Sequence, residues 1–381
     1  MEQMIPLSVP NLKGRELEYV THAVETEWVS TAGPYITDFE NQLKKYVGAR
    51  EAVACQSGTA GIHLALLACG IKQGDEVIVP TLTFIAAVNP VKYIGAEPVF
   101  MDCDNNMTID VSKLEEFLKT QCDQKEGHLC NKNTGRPVTA IIAVHIFGNM
   151  ADMESLLAIA YKYNLKLIED ATEALGTYYK EGKYKGCFAG TMGDIGVFSF
   201  NGNKIITTGG GGMIVSNKKE YAEYCRHLST QAKADVLYFE HDEIGYNYRM
   251  TNLQAALGLA QLEQLEGFIE KKEINYLIYN ELGIELLEFR KGIRSNYWFY
   301  SYITKDRDGL LRFLDSHLIQ SRPIWRLIHE LKPYKEHQAY RIEKAYYFYN
   351  HVLNIPCSSN LSVEDVHRVA EQIKYFNKKQ H

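Results

Sequence analysis

The chain has 381 residues and a formal net charge of −6, with 46% hydrophobic, 23% charged and 11% aromatic residues. That is an ordinary globular composition, long enough for a large domain with a smaller one attached. The acidic balance argues against nucleic-acid binding, which needs a basic face, and the pairs Lys271-Lys272 and Lys378-Lys379 read as solvated helix ends. None of the eight cysteines forms C-x-x-C, the pattern of a chain with free thiols in a reducing compartment. His128 lies near Cys122 and Cys130 in what reads as a polar loop, so no metal site is expected. M-E-Q-M-I-P-L-S-V-P lacks the form of a signal peptide, and no apolar run reaches the ~20 residues of a membrane helix. These features together predict a cytoplasmic protein without a membrane partner.

From residue 51 onward, short apolar runs alternate with helical patterns. E-A-V-A-C (51–55) predicts a strand and T-A-G-I-H-L-A-L-L-A-C (59–69) a helix ended by Gly70. E-V-I-V-P (76–80) predicts a second strand, and T-F-I-A-A-V-N-P-V-K-Y (83–93) a helix ended by Gly95. P-V-F-M-D (98–102) and T-A-I-I-A-V (139–144) follow as buried strands; a helix over 151–163 leads to the strand L-K-L-I-E-D (165–170). G-V-F-S-F (196–200) is a further strand. The alternation implies an α/β fold with a mainly parallel sheet covered on both faces. After Thr251 comes one long helical pattern, then a strand candidate at 297–304 and helices around 308–319 and 363–375. The expected division is a large domain, 1–259, with an N-terminal arm, and a small α+β domain, 260–381.

Ligands of an open parallel sheet sit beyond the carboxyl ends of its strands. Ser57-Gly58-Thr59 falls there, between a strand and a helix, where backbone N–H groups suit a phosphate. The same residues also suit an ordinary helix cap. Asp170 ends an apolar strand, either as a cap or as partner to a buried cation. Lys204 lies in S-F-N-G-N-K-I-I-T-T-G-G-G-G (199–212), where glycines let the chain turn tightly beside a ligand. This is not a P-loop, because asparagine precedes the lysine, isoleucine follows it and the glycines lie on the wrong side. A phosphate cradle with Ser199 nearby, a strand-end aspartate and a lysine are the parts that pyridoxal phosphate requires.

Seven motifs in order make the resemblance specific: E-W-V-S-T-A-G-P-Y with D-F-E (27–40), S-G-T-A (57–60), P-T-L-T-F-I-A (80–86), I-E-D-A-T-E-A-L-G (168–176), F-S-F-N-G-N-K (198–204), G-Y-N-Y-R-M-T-N (245–252) and I-P-C-S-S-N-L-S (355–362). The chain resembles the DegT/StrS-type sugar aminotransferases, a branch of the fold type I pyridoxal 5′-phosphate enzymes, over nearly its full length. The resemblance implies that Lys204 is the Schiff-base lysine and Asp170 the partner of the pyridine nitrogen. It implies that Gly58, Thr59 and Ser199 hold the phosphate and that Phe84 stacks on the ring. Asn247 would reach the phosphate from the second subunit of a homodimer with shared active sites. The sequence departs from the family at Asn201, where many members have histidine, and at Gly210, where many have glutamate. It departs again at Glu173, where most have glutamine or histidine beside the phenolic oxygen. An ionised Glu173 cannot donate a hydrogen bond to that oxygen.

D-A-T-E-A-L-G, S-F-N-G-N-K-I-I-T-T, L-S-T-Q-A and G-Y-N-Y-R resemble the 4-aminotransferases of bacillosamine and legionaminic acid synthesis. The implied reaction takes UDP-2-acetamido-2,6-dideoxy-hexos-4-ulose and L-glutamate to UDP-4-amino-4,6-dideoxy-N-acetylglucosamine for a surface glycan. The alternatives are a dTDP- or GDP-linked keto sugar, or a non-catalytic ligand sensor. A dehydratase of the same superfamily is disfavoured, because histidine would stand at Lys204. Arg322, in S-R-P-I-W, is a candidate for the substrate pyrophosphate or uridine, with Trp28 and Ser30 bordering the pocket.

Overall fold

A computed structural model describes residues 3–125, 127–235 and 237–379. Its main sheet contains β1 (Glu51–Cys55), β2 (Glu76–Pro80), β3 (Glu97–Met101), β4 (Val138–Val144), β5 (Lys166–Asp170), β6 (Ile195–Ser199), β7 (Gly212–Ser216) and the two-residue β8 (Ala339–Tyr340). The order across the sheet is β1-β7-β6-β5-β4-β2-β3-β8. Strand β7 is antiparallel to β1 and β6, and every other neighbouring pair is parallel. Residues along a strand alternate between faces, so a sheet buried on both sides needs apolar residues at successive positions. Val77 and Val79 of β2 pack into one core with Ile62, Cys225 and Leu228; Ile78 packs into the other with Phe39, Leu43 and Leu156. Each such side chain contributes roughly 1.5–3 kcal/mol when fully buried.

The long helix Asn252–Glu281 begins with a capping box, Thr251 Oγ1 accepting from Gln254 N while the Gln254 side chain accepts from Thr251 N. It runs without a break through residue 259, the expected division. Beyond it, Tyr300–Ile303, Val352–Ile355 and Arg322–Pro323 form a small antiparallel sheet with Val352–Ile355 in the middle. Among the described residues, no helix is long and apolar enough to cross a membrane.

Four local expectations differ from the structure. The helix expected over 83–93 is a 3-10 turn, Ile85–Ala87, followed by the short helix Asn89–Tyr93. Pro90 lacks an N–H and disfavours helical backbone before it, so it starts a helix instead of continuing one. The polar loop around His128 is a hairpin, Cys122–Lys125 paired with His128–Asn131. Lys272 is not solvated: it is buried, and its Nζ donates to the Cys357 carbonyl. The strand expected at 297–304 is confined to Tyr300–Ile303.

Asp102, at the end of β3, holds the C-terminal part against the sheet. Its Oδ2 accepts from Lys113 Nζ at 2.7 Å and from Glu343 N and Lys344 N at 3.0 Å, and its Oδ1 accepts from Ala345 N at 2.8 Å. A carboxylate is thereby set against the N-terminus of the helix Lys344–His351, where its charge is favoured. Burial alone would raise the Asp102 pKa, but Lys113 and the backbone N–H groups outweigh it and hold the carboxyl below its ordinary value. A depressed folded-state pKa stabilises the fold above the unfolded value, and that contribution is lost as pH falls through the folded one. Asp102→Ala should therefore cost about 2–4 kcal/mol near neutral pH. Its gap from wild type in urea unfolding should close as pH falls below the ordinary aspartate range; equal stability at neutral pH would refute the clasp.

Candidate active site

Beyond the carboxyl ends of β1, β5 and β6 lies a cavity of 230 Å³ lined by Gly58, Thr59, Phe84, Asp170, Glu173, Ser199 and Lys204. A larger cleft of 1160 Å³, along residues 283–292, shares none of these groups. The chemistry gathers in the smaller one.

Its floor is the N-terminus of the helix Gly58–Ala68. Ser57 Oγ accepts from Ala60 N at 3.1 Å, and Ser57 O accepts from Gly61 N at 3.0 Å. Gly58 N and Thr59 N, in the first turn, have no intrahelical acceptor and, among the described residues, no other one, so they can bind an anion. A Cβ added to Gly58 would lie 2.9 Å from Thr172 Cγ2 and 3.0 Å from Ser199 Cβ, so any side chain there would fill the cradle. Gly212 permits an equally close approach: its Cβ would meet the Ser57 carbonyl carbon at 2.7 Å.

Asp170 is 4% exposed, and its Oδ1 accepts from Thr172 N at 3.0 Å. Burial pushes its carboxyl pKa up, while Thr172, Lys204 and His145 pull it down. Lys204 Nζ lies 4.2 Å from the centre of the Trp298 ring and 3.4 Å from Glu173 Oε1. Glu173 is also 4% exposed, and its Oε2 accepts from Phe147 N at 2.8 Å. Burial raises its pKa against the pull of Lys204 and the Phe147 N–H. Phe147 has φ of 55°, in the left-handed region, and occupies the tight turn after β4.

That turn rests on a buried pair. His145 Nδ1 accepts from Ala151 N at 3.1 Å, which places the ring proton on Nε2, directed at Glu169 Oε2 2.8 Å away. Glu169 also accepts from Gly190 N at 2.8 Å and Met192 N at 2.7 Å.

Two tryptophans that sequence reasoning did not single out complete the walls. Trp298 Nε1 donates to Asn203 O at 2.8 Å, next to Lys204. Trp325 lies with its ring 4.9 Å from that of Phe147 and 5.8 Å from that of Phe84. Phe84 is 48% exposed at the cavity mouth. The only signal for Trp325 was its place in S-R-P-I-W, quoted for Arg322 instead.

The four remaining candidates do not line the cavity. Arg322 is exposed, with a guanidinium bond to Ser321 O at 3.2 Å. Trp28 and Ser30 are exposed, and their carbonyls accept from Asn252 Nδ2 at 2.7 Å and Asn252 N at 2.6 Å. Asn247 faces solvent one residue before Tyr248, whose carbonyl accepts from Gln56 N at 2.7 Å. Tyr248 therefore pairs with the backbone just before the phosphate cradle, while Asn247 is exposed and does not line the cavity.

The donor set fits pyridoxal phosphate. Unpartnered N–H groups and hydroxyls suit the phosphate, a buried carboxylate suits a protonated ring nitrogen, and an amine suits the aldehyde. Known proteins agree. The model of the DegT/DnrJ/EryC1/StrS aminotransferase family matches residues 10–374. A GDP-perosamine synthase from Escherichia coli O157:H7 is 40% identical over 379 residues, covering 98% of each chain. A UDP-4-amino-4,6-dideoxy-N-acetyl-beta-L-altrosamine transaminase from Campylobacter jejuni is 32% identical over 394 residues, covering 97% of this chain and 96% of that one. The solved structure of a DegT DnrJ EryC1 StrS aminotransferase from Brucella abortus superposes with a TM-score of 0.87 at 28% identity, covering 95% of each chain. The mainly parallel sheet is that of fold type I, and the chain belongs to the DegT/DnrJ/EryC1/StrS family as a pyridoxal 5′-phosphate-dependent sugar-nucleotide aminotransferase.

Proposed function

We propose that the enzyme transfers an amino group from L-glutamate to C4 of a nucleotide-linked 4-keto-6-deoxy sugar, and that the nucleotide is GDP. What supports the reaction is one observation: Lys204, Asp170 and an unsatisfied helix N-terminus share a single 230 Å³ cavity. What supports GDP is the 40% identity to a GDP-perosamine synthase over nearly the whole of both chains. UDP-2-acetamido-2,6-dideoxy-hexos-4-ulose is the second reading, favoured by the 170–176 and 199–208 motifs and by the 32% identity to a UDP-sugar transaminase.

When bound, pyridoxal phosphate supplies an electron sink and carries the amino group between the two substrates. In this reading Lys204 anchors the cofactor, is released by the amino donor, and then moves a proton as general base. Asp170 keeps a negative charge against the ring nitrogen. Gly58, Thr59 and Ser199 hold the phosphate, and Phe84 covers the ring. The enzyme acts as a homodimer in which Asn247 of one subunit completes the phosphate site of the other. Arg322, Trp28 and Ser30 contact the nucleotide sugar from outside the cavity.

Enzyme converted to its pyridoxamine form should regain the visible absorbance of the lysine-bound cofactor when a GDP-linked 4-keto-6-deoxy sugar is added. Recovery with the UDP-linked sugar alone would favour the second reading, and silence with every keto sugar would leave a ligand sensor. Asp170→Ala should retain some cofactor yet slow the glutamate half-reaction by ~10²-fold or more, the range for removing a preorganised electrostatic stabiliser. Near-normal turnover would remove Asp170 from the mechanism. Arg322→Ala should raise KM for the nucleotide sugar about tenfold with kcat preserved, the pattern of lost uniform binding; an unchanged KM would discard that contact.

A further inference from the structure

Three of the residues lining the cavity ionise: Asp170, Glu173 and Lys204. A lysine must be neutral to act as nucleophile or base, yet an isolated lysine stays protonated up to about pH 10.4. A carboxylate in contact with the amine can hold that proton.

The two carboxyls are not equivalent for that task. Among the described residues, the carboxylate within salt-bridge distance of Lys204 Nζ is Glu173, at 3.4 Å. Asp170 instead binds the Thr172 N–H. Glu173 is also held for the purpose: Phe147 N–H fixes Oε2, Asn296 Nδ2 fixes the Glu173 backbone carbonyl at 2.9 Å, and Oε1 is left facing the lysine. Both partners are nearly closed to water, with Lys204 11% and Glu173 4% exposed at the side chain. Moving one proton there exchanges a buried ion pair for a neutral pair, which burial favours. The other groups that face the pair are the Trp298 ring against Nζ, the Asp170 carboxyl, and behind Asp170 the His145–Glu169 pair. Asp170 as a second negative charge further favours a proton on Glu173.

We propose that Glu173 is the proton acceptor of Lys204, a catalytic residue in direct contact with the reacting amine. When the lysine is free, an Nζ–H bond breaks, an Oε1–H bond forms, and the nitrogen lone pair becomes available. The proton returns to Nζ by the same path. The inference rests on the reading of Lys204 given above, and it accounts for a carboxylic acid at a position where an amide or imidazole is common in the family.

The test uses the holoenzyme and Glu173→Gln, which preserves an acceptor for the Phe147 N–H. The variant should bind cofactor but slow the glutamate half-reaction by ~10²-fold at neutral pH. That loss should shrink as pH rises toward the lysine range, where solvent removes the proton instead. The infrared difference spectrum between the amino-loaded and lysine-bound forms should contain a protonated-carboxyl C=O stretch that Glu173→Gln lacks. A loss of rate equal at every pH, or a wild-type spectrum without that stretch, would overturn the proposal. So would persistence of the stretch in the variant. Lys204→Ala separates the two levels. If it is inactive while Glu173→Gln behaves as wild type, only the Glu173 proposal fails. If Lys204→Ala still turns over glutamate, the assignment of Lys204 fails and carries the proposal with it.

Discussion

Removing two carboxyls and one ammonium from water together is the constraint on which this site is built. Each alone would cost several kcal/mol to bury in ionised form. Their mutual placement, with Asp170 against the Thr172 N–H and Glu173 between Phe147 N–H and Lys204, makes the burial tolerable. The sheet enforces that placement. The β5 strand ends at Asp170 and β6 at Ser199, in parallel register with Asp170 opposite Val197, so both elements deliver their next residues to the same edge.

The remaining walls come from far along the chain and need their own anchors. The turn bearing Phe147 is set by His145 against Glu169, whose other oxygen accepts from the 190–193 loop. Trp325 is held above the cavity because Ile328 N donates to Thr81 O at 3.0 Å and His329 Nδ1 meets Thr81 Oγ1 at 2.6 Å. The Asp102 clasp secures the segment just beyond. A site formed by one edge of the sheet is therefore closed by a part of the chain more than a hundred residues away in sequence. Its stability and its geometry are linked through buried polar contacts, which lose most when one partner is removed.

These two layers differ in how legible they were from sequence. Lys204, Asp170 and the Ser57–Thr59 cradle could be read because each sits at or within a few residues of the end of a short apolar run, and strand-end position is a local property. The strands read between 51 and 200 were readable for the same reason, but 83–93 was not, where Pro90 outweighed the apolar pattern, nor were the hairpin at 122–131, the strand Gly212–Ser216 and the helices Val111–Thr120 and Lys219–Ser229. Lys272 and Trp298 were not readable. Lys272 is buried because Cys357 O and Tyr300 come to it from 85 and 28 residues away. Trp298 reaches Asn203 across 95 residues. No periodicity encodes such contacts. Family resemblance supplied Phe84 and Glu173, and the single chain leaves Asn247, Arg322, Trp28 and Ser30 outside the cavity.

The glycine run after Lys204 separates what backbone geometry demands from what it leaves open. Gly211 has φ of 147°, a conformation other residues rarely adopt, and Gly212 abuts the Ser57 backbone, so neither position tolerates a side chain. Gly210 has no such requirement. The nearest atom to a Cβ placed there is Gln254 Nε2, at 3.8 Å, and the residue lies on the cavity wall. Glycine at 210 is thus not a folding necessity, unlike its two neighbours. Where the family resemblance led to the expectation of a glutamate, this chain keeps open space on the wall of a cavity that already holds two carboxyls. A third acid there would add to the negative charge that Glu173 and Asp170 already bring to the cavity. The absence of that side chain and the presence of Glu173 are therefore consistent with one electrostatic arrangement, in which the acid lies next to the reacting amine and not at the cavity rim.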